Sequence, residues 1–486
     1  MPPTPAPARR AWQDGTVDRL NALDAAFLDL DTARSPLHVG WVMRFAGEPP
    51  ALEDLREHIA ARLDAMPRFR RRAVIPPFGL ADPWWVDDAS FDIARHVSAV
   101  QLAEPADEGA LRDLAGSLVA AELDSGGPLW RLTMITGTGG DGPARGFAIV
   151  GQAHHALIDG IAAIELAVLL LDHQGAPPRP APRPWVPQRP PGIAEALAAT
   201  ALARGAAAAR LAISVADGTL RDAASLLSGF VALGPSGPLA ESATRERALA
   251  HATVGLDALQ EGARSHGATV NDALLTAGAL AIGAAFERRG EQRDQLRTII
   301  PVNVRAEGEG GADHANRISL LPVTIPLGER DPLRLLAAVR ARTRAVKRAG
   351  LVQAGSALLD AADALPRPVR PALARMAVRA GSVDVVISNV PGPREPLELL
   401  GRPMLAAWPA VPLVDGQGIT IGALSYAGRL FVGVTADPLV VPDAEQITRD
   451  LEQALNAIAR ADAPAVQDPT PWRARALERR RVQRNA

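Results

Sequence analysis

The sequence contains no cysteine among its 486 residues. This absence excludes disulfide bonds, thiolate metal sites and a cysteine nucleophile together. Long apolar runs are missing as well, because no stretch reaches the roughly 18 consecutive apolar residues expected of a membrane-spanning helix. The N-terminal segment also lacks the apolar core of a signal peptide. We therefore expect a cytoplasmic protein whose contact with any membrane is peripheral.

An excess of charge of either sign is absent too. The chain carries 52 lysine and arginine residues against 54 aspartate and glutamate residues, and Lys347 is the only lysine. This balance gives no general affinity for nucleic acid, so no nucleic-acid partner is expected. The hydrophobic content of 48% is typical of a folded globular protein. The length exceeds what one core normally organises, which predicts two domains.

Proline is concentrated in one place, between Gly175 and Gly192, where the chain reads GAPPRPAPRPWVPQRPPG. Proline disrupts helix interiors and central strands, so this segment is typical of a semi-rigid connector between domains. The sequence therefore predicts a disordered tail at 1–18, an N-terminal domain at 19–174, a linker with crossover helices at 175–245, a C-terminal domain at 246–462 and a basic tail at 463–486.

Two segments outside the predicted domains allow alternative interpretations. The alanine-rich stretch Ile193–Leu233 has helical spacing, and it is either a crossover helix pair packed on the body of the protein or a surface that faces lipid. The arginine-rich C-terminal tail is either a solvated end or a segment weakly attracted to anionic lipid.

Apolar periodicity predicts a mixed α/β fold in both halves. A strand at Gly146–Ala153 ends at His154, and an apolar helix begins near Gly160. Further strands are predicted at His38–Phe45, Arg70–Ile75, Trp84–Val86, Trp130–Thr136, Arg297–Val304, Ile318–Ile325, Val383–Ser388, Ile419–Tyr426 and Arg429–Thr435. Further helices are predicted at Leu52–Met66, Glu108–Leu123, Val270–Arg289, Asp331–Arg348 and Asp443–Ala459.

The segment with the clearest chemical content follows that first strand and contains His154, His155, Asp159 and Gly160. Histidine titrates near neutrality, so it can take a proton from a hydroxyl and return it to a leaving group. No nucleophile elbow of the G-x-S-x-G type accompanies the pair. Adjacent side chains on an extended segment face opposite sides, which favours one general base over a metal site. Asp159 is expected to hold the loop through an ion pair, and Gly160 to allow a tight turn.

The same segment resembles the HHxxxDG signature of the coenzyme A-dependent acyltransferase superfamily. Other segments resemble blocks of the wax ester synthase/diacylglycerol acyltransferase family, and they occur in the order of that family. These segments are Leu23–Leu28 (LDAAFL), Pro128–Trp130 (PLW), Thr269–Leu274 (TVNDAL), Ser388–Pro393 (SNVPGP) and Asp415–Gly418 (DGQG).

The resemblance implies an α/β architecture of two chloramphenicol-acetyltransferase-like domains, with mixed sheets flanked by helices and an active site in a channel at their interface. It implies that His155 deprotonates the hydroxyl of diacylglycerol or a fatty alcohol, supported by His154 and Asp159. The acyl-CoA thioester is then a substrate, so neither a cofactor nor a metal is expected. Contact with the inner membrane or a lipid droplet would be peripheral.

Several other residues receive roles from the resemblance. Asn271 is either an oxyanion donor, a residue that positions the acceptor, or an N-cap, since Asn favours helix starts. Arg305 is a candidate ion-pair partner for Asp159. The remaining predicted substrate contacts are Pro128, Leu129, Trp130, Gly160, Asp272, Ser388 and Asn389.

Two of these groups have structural alternatives. Trp130 and its neighbours either line the acyl entrance or belong to the core. A run of arginines at Arg68, Arg70, Arg71 and Arg72 either meets coenzyme A phosphates or faces solvent. The Pro391–Pro393 segment after Ser388 suggests a turn, so Ser388 is not taken as a nucleophile.

Two other functions also remain open from the sequence. A condensation-type enzyme would use the same histidine motif on carrier-bound thioesters. A non-catalytic lipid-droplet protein would retain the fold without turnover.

Overall fold

The computed structural model describes residues 18–138, 146–158, 170–173, 185–219, 221, 237, 239, 244–303, 318–348, 351–380 and 383–461. The predicted basic tail and residues 1–17 of the predicted N-terminal tail lie outside these ranges, as do residues 175–184 of the proline-rich segment and residues 220 and 222–233 of the alanine-rich stretch.

Ten helices have described bounds. They are α1 (Ala22–Leu30), α2 (Leu52–Ala60), α3 (Glu108–Ala120), α4 (Ile193–Ala216), α5 (Leu256–Ser265), α6 (Val270–Arg288), α7 (Pro332–Arg348), α8 (Leu351–Ala364), α9 (Arg370–Ala380) and α10 (Ala444–Ala459). The predicted helix from Leu52 to Met66 ends early, at Ala60, and continues as 3₁₀ turns at Leu63–Ala65 and Pro67–Arg70.

Sixteen strands have described bounds. They are β1 (Asp18–Arg19), β2 (His38–Ala46), β3 (Arg71–Val74), β4 (Trp84–Asp87), β5 (Val97–Gln101), β6 (Trp130–Thr138), β7 (Gly146–His154), β8 (Asp172–His173), β9 (Ala248–Gly255), β10 (Gln295–Asn303), β11 (Ile318–Pro326), β12 (Val385–Pro391), β13 (Leu397–Leu399), β14 (Arg402–Ala410), β15 (Ile419–Tyr426) and β16 (Arg429–Ala436).

These strands form two large mixed sheets and one small sheet. The first large sheet has the order β5-β6-β7-β2-β14-β13-β8, and the second has the order β11-β10-β12-β15-β16-β9. In the first sheet β5 and β6 are parallel, and in the second β10, β12 and β15 are parallel. Helices flank both sheets, which confirms the predicted α/β class with mixed sheets.

The second half of the chain contributes β13 and β14 to the first sheet, which no sequence pattern indicated. Strand β14 pairs antiparallel with β2, so that Trp408 lies opposite Val42 and Ala410 lies opposite Gly40. Residues 397–410 thereby belong to the first sheet, although they follow α5 to α9 in the chain. The predicted domain boundaries stay a prediction, but a cut at the proline-rich segment does not separate the two sheets.

The hydrophobic core likewise joins the two halves. One cluster of buried residues contains Trp130 and Leu157 from the first half together with Tyr426 and Phe431 from β15 and β16. The Tyr426 hydroxyl accepts a hydrogen bond of 2.8 Å from the backbone N–H of Leu397 in β13. This contact joins the two sheets at the level of the first-half core.

Two described helices are long and apolar enough to cross a membrane by length and composition. Helix α6 is a core helix, because 72% of its apolar window is buried. Helix α4 differs, since only 17% of its window is buried and its buried positions are Ala196, Thr200 and Ala207. Helix α4 packs against α8, and its larger apolar side chains Ile193, Leu202, Ile213 and Val215 are exposed.

The arginine run belongs to the interior. Arg68, Arg70 and Arg71 are buried, and they form ion pairs with Asp18, Asp64 and Asp87. Solvent exposure, one of the two expectations for this run, is therefore wrong for all three, and only Arg72 is exposed. The paired aspartates are distant in sequence or lie across a turn. The alternation of residues along a strand therefore could not predict these ion pairs.

Candidate active site

The two histidines lie at the point where β7 becomes a tight turn. His154 is the last residue of β7, and its backbone N–H donates to the carbonyl of Leu129 at 2.9 Å. His155 begins the turn, and its N–H donates to the carbonyl of Leu37 at 2.8 Å. The turn closes when Leu157 donates to the carbonyl of His154. The backbone of the pair is therefore held from both sides by the segments next to β6 and β2.

The side chain of His154 is enclosed, with only 1% of the residue exposed. Its Nδ1 accepts a hydrogen bond of 3.0 Å from the backbone N–H of Ala156. Because an N–H can only donate, Nδ1 carries no proton, and the proton of the neutral ring is on Nε2. Nε2 faces Asp31 Oδ2 at 3.4 Å. The structure thus fixes both the tautomer and the orientation of His154.

Asp31 is an additional residue of the site that sequence reasoning missed. It follows the last residue of α1, and its Oδ1 accepts from the N–H of Leu37 at 3.0 Å. Burial alone would raise the pKa of Asp31, but donation from His154 and Leu37 outweighs burial and holds that pKa below its ordinary value. Asp31 is therefore an anion at neutral pH.

The ring of His155 is half-buried and stacks on Phe27, with ring centroids 4.0 Å apart and an interplanar angle of 15°. Phe27 and Asp31 are four residues apart, so they project from the same face at the end of α1. One helix therefore contacts both histidines, with Phe27 against His155 and Asp31 against His154. Phe27 belongs to the LDAAFL block, whose local role the sequence alone did not reveal.

His38 extends the arrangement behind His154. The two rings meet edge to face with centroids 5.7 Å apart. Gln152 Nε2 lies 2.9 Å from His38 Nδ1 and donates to the carbonyl of Val119 at 3.1 Å. This buried, hydrogen-bonded position makes His38 a structural support of His154. His38 lies at the start of β2, directly opposite His154 in the register.

Burial, together with the charges of His154, Arg131 and Arg245, lowers the pKa of His38 to about 4, and the charge of Asp31 partly opposes this shift. The unfolded chain then binds more protons than the folded protein between about pH 4 and pH 6.5, so stability falls as the pH is lowered through that range. We expect a loss of up to about 3 kcal/mol at pH 4 from this group. Urea unfolding of wild type and His38→Asn from pH 7 to pH 4 measures the effect. An unchanged pH slope in the variant would contradict it.

The PLW segment frames the histidine pair. Leu129 and Trp130 are buried, and Trp130 Nε1 donates to the carbonyl of Phe69 at 2.8 Å. The indole also stacks on His96 with centroids 4.6 Å apart. Pro128 is likewise buried. These contacts favour the core interpretation, in which the segment holds His154 through the carbonyl of Leu129.

The NDAL segment forms the first turn of α6. Thr269 is the N-cap residue of α6, so Asn271 is not the N-cap, which corrects that alternative. Asn271 is the second residue of the helix and half-buried. Asp272 Oδ2 accepts from the N–H and hydroxyl of Thr269, and its Oδ1 accepts from Thr343 at 2.7 Å. Both carboxylate oxygens of Asp272 thus accept hydrogen bonds within the protein, and its contact with substrate stays a prediction.

The different positions of Asp272 and Asn271 in the first turn of α6 predict different effects of their substitution on stability. Asp272→Ala is expected to lower the free energy of unfolding by about 1–2 kcal/mol, because it removes the capping box and the bond from Thr343. Asn271→Ala is expected to change it by less than about 0.5 kcal/mol, since Asn271 is not a cap. Chemical denaturation of the two variants measures both values. Equal destabilisation by the two substitutions would refute this assignment of the cap.

Ser388 and Asn389 lie within β12, where they are half-buried and oppose Gly422 and Ala423 of β15. The strand continues to Pro391, beyond the predicted end at Ser388.

Asp159, Gly160 and Arg305 lie outside the described residues, so the proposed ion pair and its loop stay predictions. The structure therefore brings together His154, His155, Phe27, Asp31 and His38, of which the sequence singled out the first two.

Comparison with known proteins agrees with the motifs. The wax ester synthase/diacylglycerol acyltransferase catalytic domain matches residues 20–274, and the C-terminal domain of the same family matches residues 314–459. The probable diacylglycerol O-acyltransferase tgs1 of Mycobacterium tuberculosis (strain CDC 1551) is 34% identical over 464 residues, covering 90% of this chain and 95% of the relative. The O-acyltransferase WSD of Acinetobacter baylyi is 25% identical over 455 residues, covering 90% and 96%.

Solved structures show the same fold. The wax ester synthase/diacylglycerol acyltransferase from Marinobacter aquaeolei VT8 superposes with a TM-score of 0.64 at 20% identity, covering 90% of this chain and 98% of that one. The first condensation domain of the calcium-dependent antibiotic synthetase superposes with a TM-score of 0.60 at 15% identity, covering 93% and 98%.

Proposed function

This chain belongs to the wax ester synthase/diacylglycerol acyltransferase family, and we propose that it transfers a long-chain acyl group from acyl-CoA to diacylglycerol or a long-chain alcohol, with His155 as general base. The product is triacylglycerol or wax ester. Membership confirms the resemblance inferred from the motifs. The observation that carries the assignment of the base is the position of His155 in a turn braced on both sides, with its ring stacked on Phe27.

The reaction needs one proton relay. As the acceptor oxygen attacks the thioester carbonyl, the imidazole of His155 takes the hydroxyl proton, and a tetrahedral oxyanion forms. When that intermediate collapses, the carbon–sulfur bond breaks, and the imidazolium returns the proton to the leaving thiolate of coenzyme A. The single histidine thus serves as base and then as acid, so neither a covalent acyl-enzyme nor a second nucleophile is required.

The surrounding residues hold this base in place. His154 is fixed by Ala156 and faces the anionic Asp31, while Phe27 covers one face of the His155 ring. Because a well-oriented catalytic group contributes most of its effect through geometry, we assign Phe27, Asp31 and His154 as positioning residues. Asn271, half-buried in the first turn of α6, is our candidate for donation to the oxyanion or for positioning the acceptor.

The substrate classes follow from the family and from the apolar surroundings. Diacylglycerols and long-chain alcohols partition into lipid, so we propose that the protein is cytoplasmic and contacts the inner membrane or a lipid droplet peripherally. The exposed apolar side chains of α4 support this peripheral contact. A helix that is apolar on most of its faces is stable where lipid or protein covers those faces. We propose that acyl-CoA and acceptor approach His155 through the interface of the two halves.

An acceptor panel with palmitoyl-CoA tests the proposed function. We expect coenzyme A release with dioleoylglycerol, with hexadecanol or with both, and the matching triacylglycerol or wax ester by product chromatography. A control reaction without acceptor measures thioester hydrolysis. Release confined to acyl groups on a phosphopantetheinyl carrier protein, with none from palmitoyl-CoA, would assign the chain to condensation-type chemistry instead.

A further inference from the structure

The loop between α1 and β2 contacts both histidines of the site. We call residues 31–37 the α1–β2 loop. At its start, Asp31 Oδ2 faces His154 Nε2 at 3.4 Å. At its end, the N–H of Leu37 donates to Asp31 Oδ1 at 3.0 Å, and the carbonyl of Leu37 accepts from the N–H of His155 at 2.8 Å. A shift of this loop would therefore move the partners of both histidines together.

A buried hydroxyl ties the α1–β2 loop to the second half of the chain. Ser35 is 1% exposed, and its Oγ donates to the carbonyl of Leu413 at 2.7 Å, across 378 residues of sequence. The N–H of Ser35 donates to the hydroxyl of Thr32 at 3.0 Å, which closes the bend of the loop. Leu413 is itself fully buried. Because a buried carbonyl that loses its donor is costly, this bond fixes the distance between the loop and Leu413.

A buried arginine makes a second connection between the same two parts. Arg247 lies immediately before β9, and its Nη2 donates to the carbonyl of Arg34 in the α1–β2 loop at 3.2 Å. Its Nη1 donates to the carbonyls of Thr244 and Glu246 at 3.1 and 2.8 Å. The guanidinium is planar and rigid, so its donors fix the positions of these carbonyls relative to one another.

The first connection starts from a motif whose role the sequence did not reveal. The DGQG segment, Asp415–Gly418, forms a turn two residues after Leu413. Gly416 has a φ of +83°, a conformation that favours glycine. Gly418 has no room for a side chain, because a Cβ atom there would lie 2.5 Å from Cγ1 of Val440. The two glycines therefore shape the turn that holds the carbonyl of Leu413 in place.

Asp437 joins this turn to Arg247. It is fully buried, and its N–H donates to the carbonyl of Gly418 at 2.9 Å. Its carboxylate accepts from the N–H and the hydroxyl of Thr244 at 2.7 and 3.0 Å. The carbonyl of Thr244 in turn accepts from Arg247. Both connections to the α1–β2 loop thus start from one group of residues, Gly418, Asp437 and Thr244, which we call the Asp437 cluster.

We propose that Ser35 and Arg247 are positioning residues for acyl transfer, through which the Asp437 cluster holds the α1–β2 loop against the two histidines. The proposal rests on the proposed function, because it concerns the base of that reaction. Both side chains act through Asp31 and Leu37, which contact the histidines directly. Because a misplacement of about 1 Å in an active site can lower a rate by about 10²-fold, a small shift of this loop is sufficient to slow the reaction.

Ser35→Ala tests the first connection, since it removes the hydroxyl that bonds Leu413 and adds no volume. We expect kcat with palmitoyl-CoA and dioleoylglycerol to fall by about fivefold while KM stays within about twofold, because the loop acts on the base. Thr448→Val is the matched control. The buried Thr448 hydroxyl donates to the carbonyl of Ala444 at 2.8 Å within α10, so its loss leaves the loop untouched, and kcat should stay within about twofold.

Local hydrogen exchange gives a second measurement, which does not need turnover. The N–H of His155 is protected by the carbonyl of Leu37, and the N–H of Leu37 by Asp31. We expect peptides that contain these two amides to exchange about tenfold or more faster in Ser35→Ala, and at the wild-type rate in Thr448→Val. Circular dichroism and thermal unfolding establish that both variants are folded.

A double-mutant cycle on kcat separates positioning from a general loss of stability. Because Ser35 acts through the loop that carries Asp31, the double variant Ser35→Ala/Asp31→Asn should lose less than the product of the two single losses. The losses in Thr448→Val and Asp31→Asn should multiply. Arg247→Lys keeps the charge without the planar fork, and it carries the same expectations as Ser35→Ala if that variant does not fold.

Wild-type kcat and wild-type exchange in folded Ser35→Ala overturn the proposal. An equal loss of kcat in Thr448→Val, or losses that multiply in the Ser35→Ala/Asp31→Asn cycle, also overturn it, since either result makes the effect one of stability alone. Faster exchange in Ser35→Ala, in a protein whose wild type releases no coenzyme A from palmitoyl-CoA with any acceptor, supports the connection through the loop and refutes the proposed function.

Discussion

Replacing His155 with alanine is expected to lower kcat for acyl transfer by about 10³-fold or more while the protein stays folded. The imidazole is half-buried in a turn whose backbone bonds run to Leu37 and Leu129, and none of those bonds uses the His155 side chain. The substitution therefore removes the proton acceptor and keeps the backbone bonds to Leu37 and Leu129. Steady-state coenzyme A release with palmitoyl-CoA and dioleoylglycerol measures the loss.

His154→Asn is the matched control for this substitution. The asparagine oxygen can accept the bond from Ala156 that His154 Nδ1 accepts in wild type, so the turn is retained. We expect a folded protein whose kcat is reduced by only about tenfold, because His154 supports the base and does not exchange protons with substrate. A greater loss in His154→Asn than in His155→Ala would reverse the assignment of the two histidines.

Asp31→Asn is expected to lower kcat by about fivefold to tenfold with little change in KM. The carboxylate accepts from Leu37 through one oxygen and faces His154 Nε2 with the other. An amide has a single acceptor oxygen, so one of these donors would face an NH₂ group and the His154 ring would shift. Because Asp31 acts through His154, the loss should be in kcat and not in substrate binding.

Asp29→Asn is the matched control on the same helix. Asp29 forms a bidentate ion pair with Arg367, and it lies two residues from Asp31. Its replacement should lower the unfolding temperature and leave kcat for a soluble acceptor within about twofold, as expected for a structural pair away from the base. If both variants lost kcat equally, Asp31 would have only a structural part in the helix. A shift in the pH profile of kcat confined to Asp31→Asn would instead mark the positioning role.

The sequence predicted the local features well. The strand that ends at His154 and the helix at the TVNDAL segment have bounds within one residue of those predicted. These elements depend on periodicity and on capping, both of which are encoded in neighbouring residues. The sequence left two interpretations of the PLW segment open, the hydrophobic core and the acyl entrance. Only the structure, which shows the segment to be buried, favours the core.

What the sequence did not predict depends on distant partners. Strand β14 contains Pro403 and Pro409, which argue against a central strand, yet it pairs with β2 some 360 residues earlier. Asp31 carries no motif of its own, and its importance comes from the turn that brings His154 within 3.4 Å. Likewise Phe27 is one apolar residue of a short helix until the fold places it against His155.

The central claim is that the imidazole of His155, and not merely its bulk, moves the proton. His155→Gln keeps a planar side chain beside Phe27 but removes the titratable nitrogen, so it separates packing from proton transfer. The decisive measurement is the single-turnover rate of coenzyme A release from palmitoyl-CoA with dioleoylglycerol in folded His155→Gln. We predict a rate about 10³-fold below wild type. A rate within tenfold of wild type, with triacylglycerol as product, would contradict this mechanism.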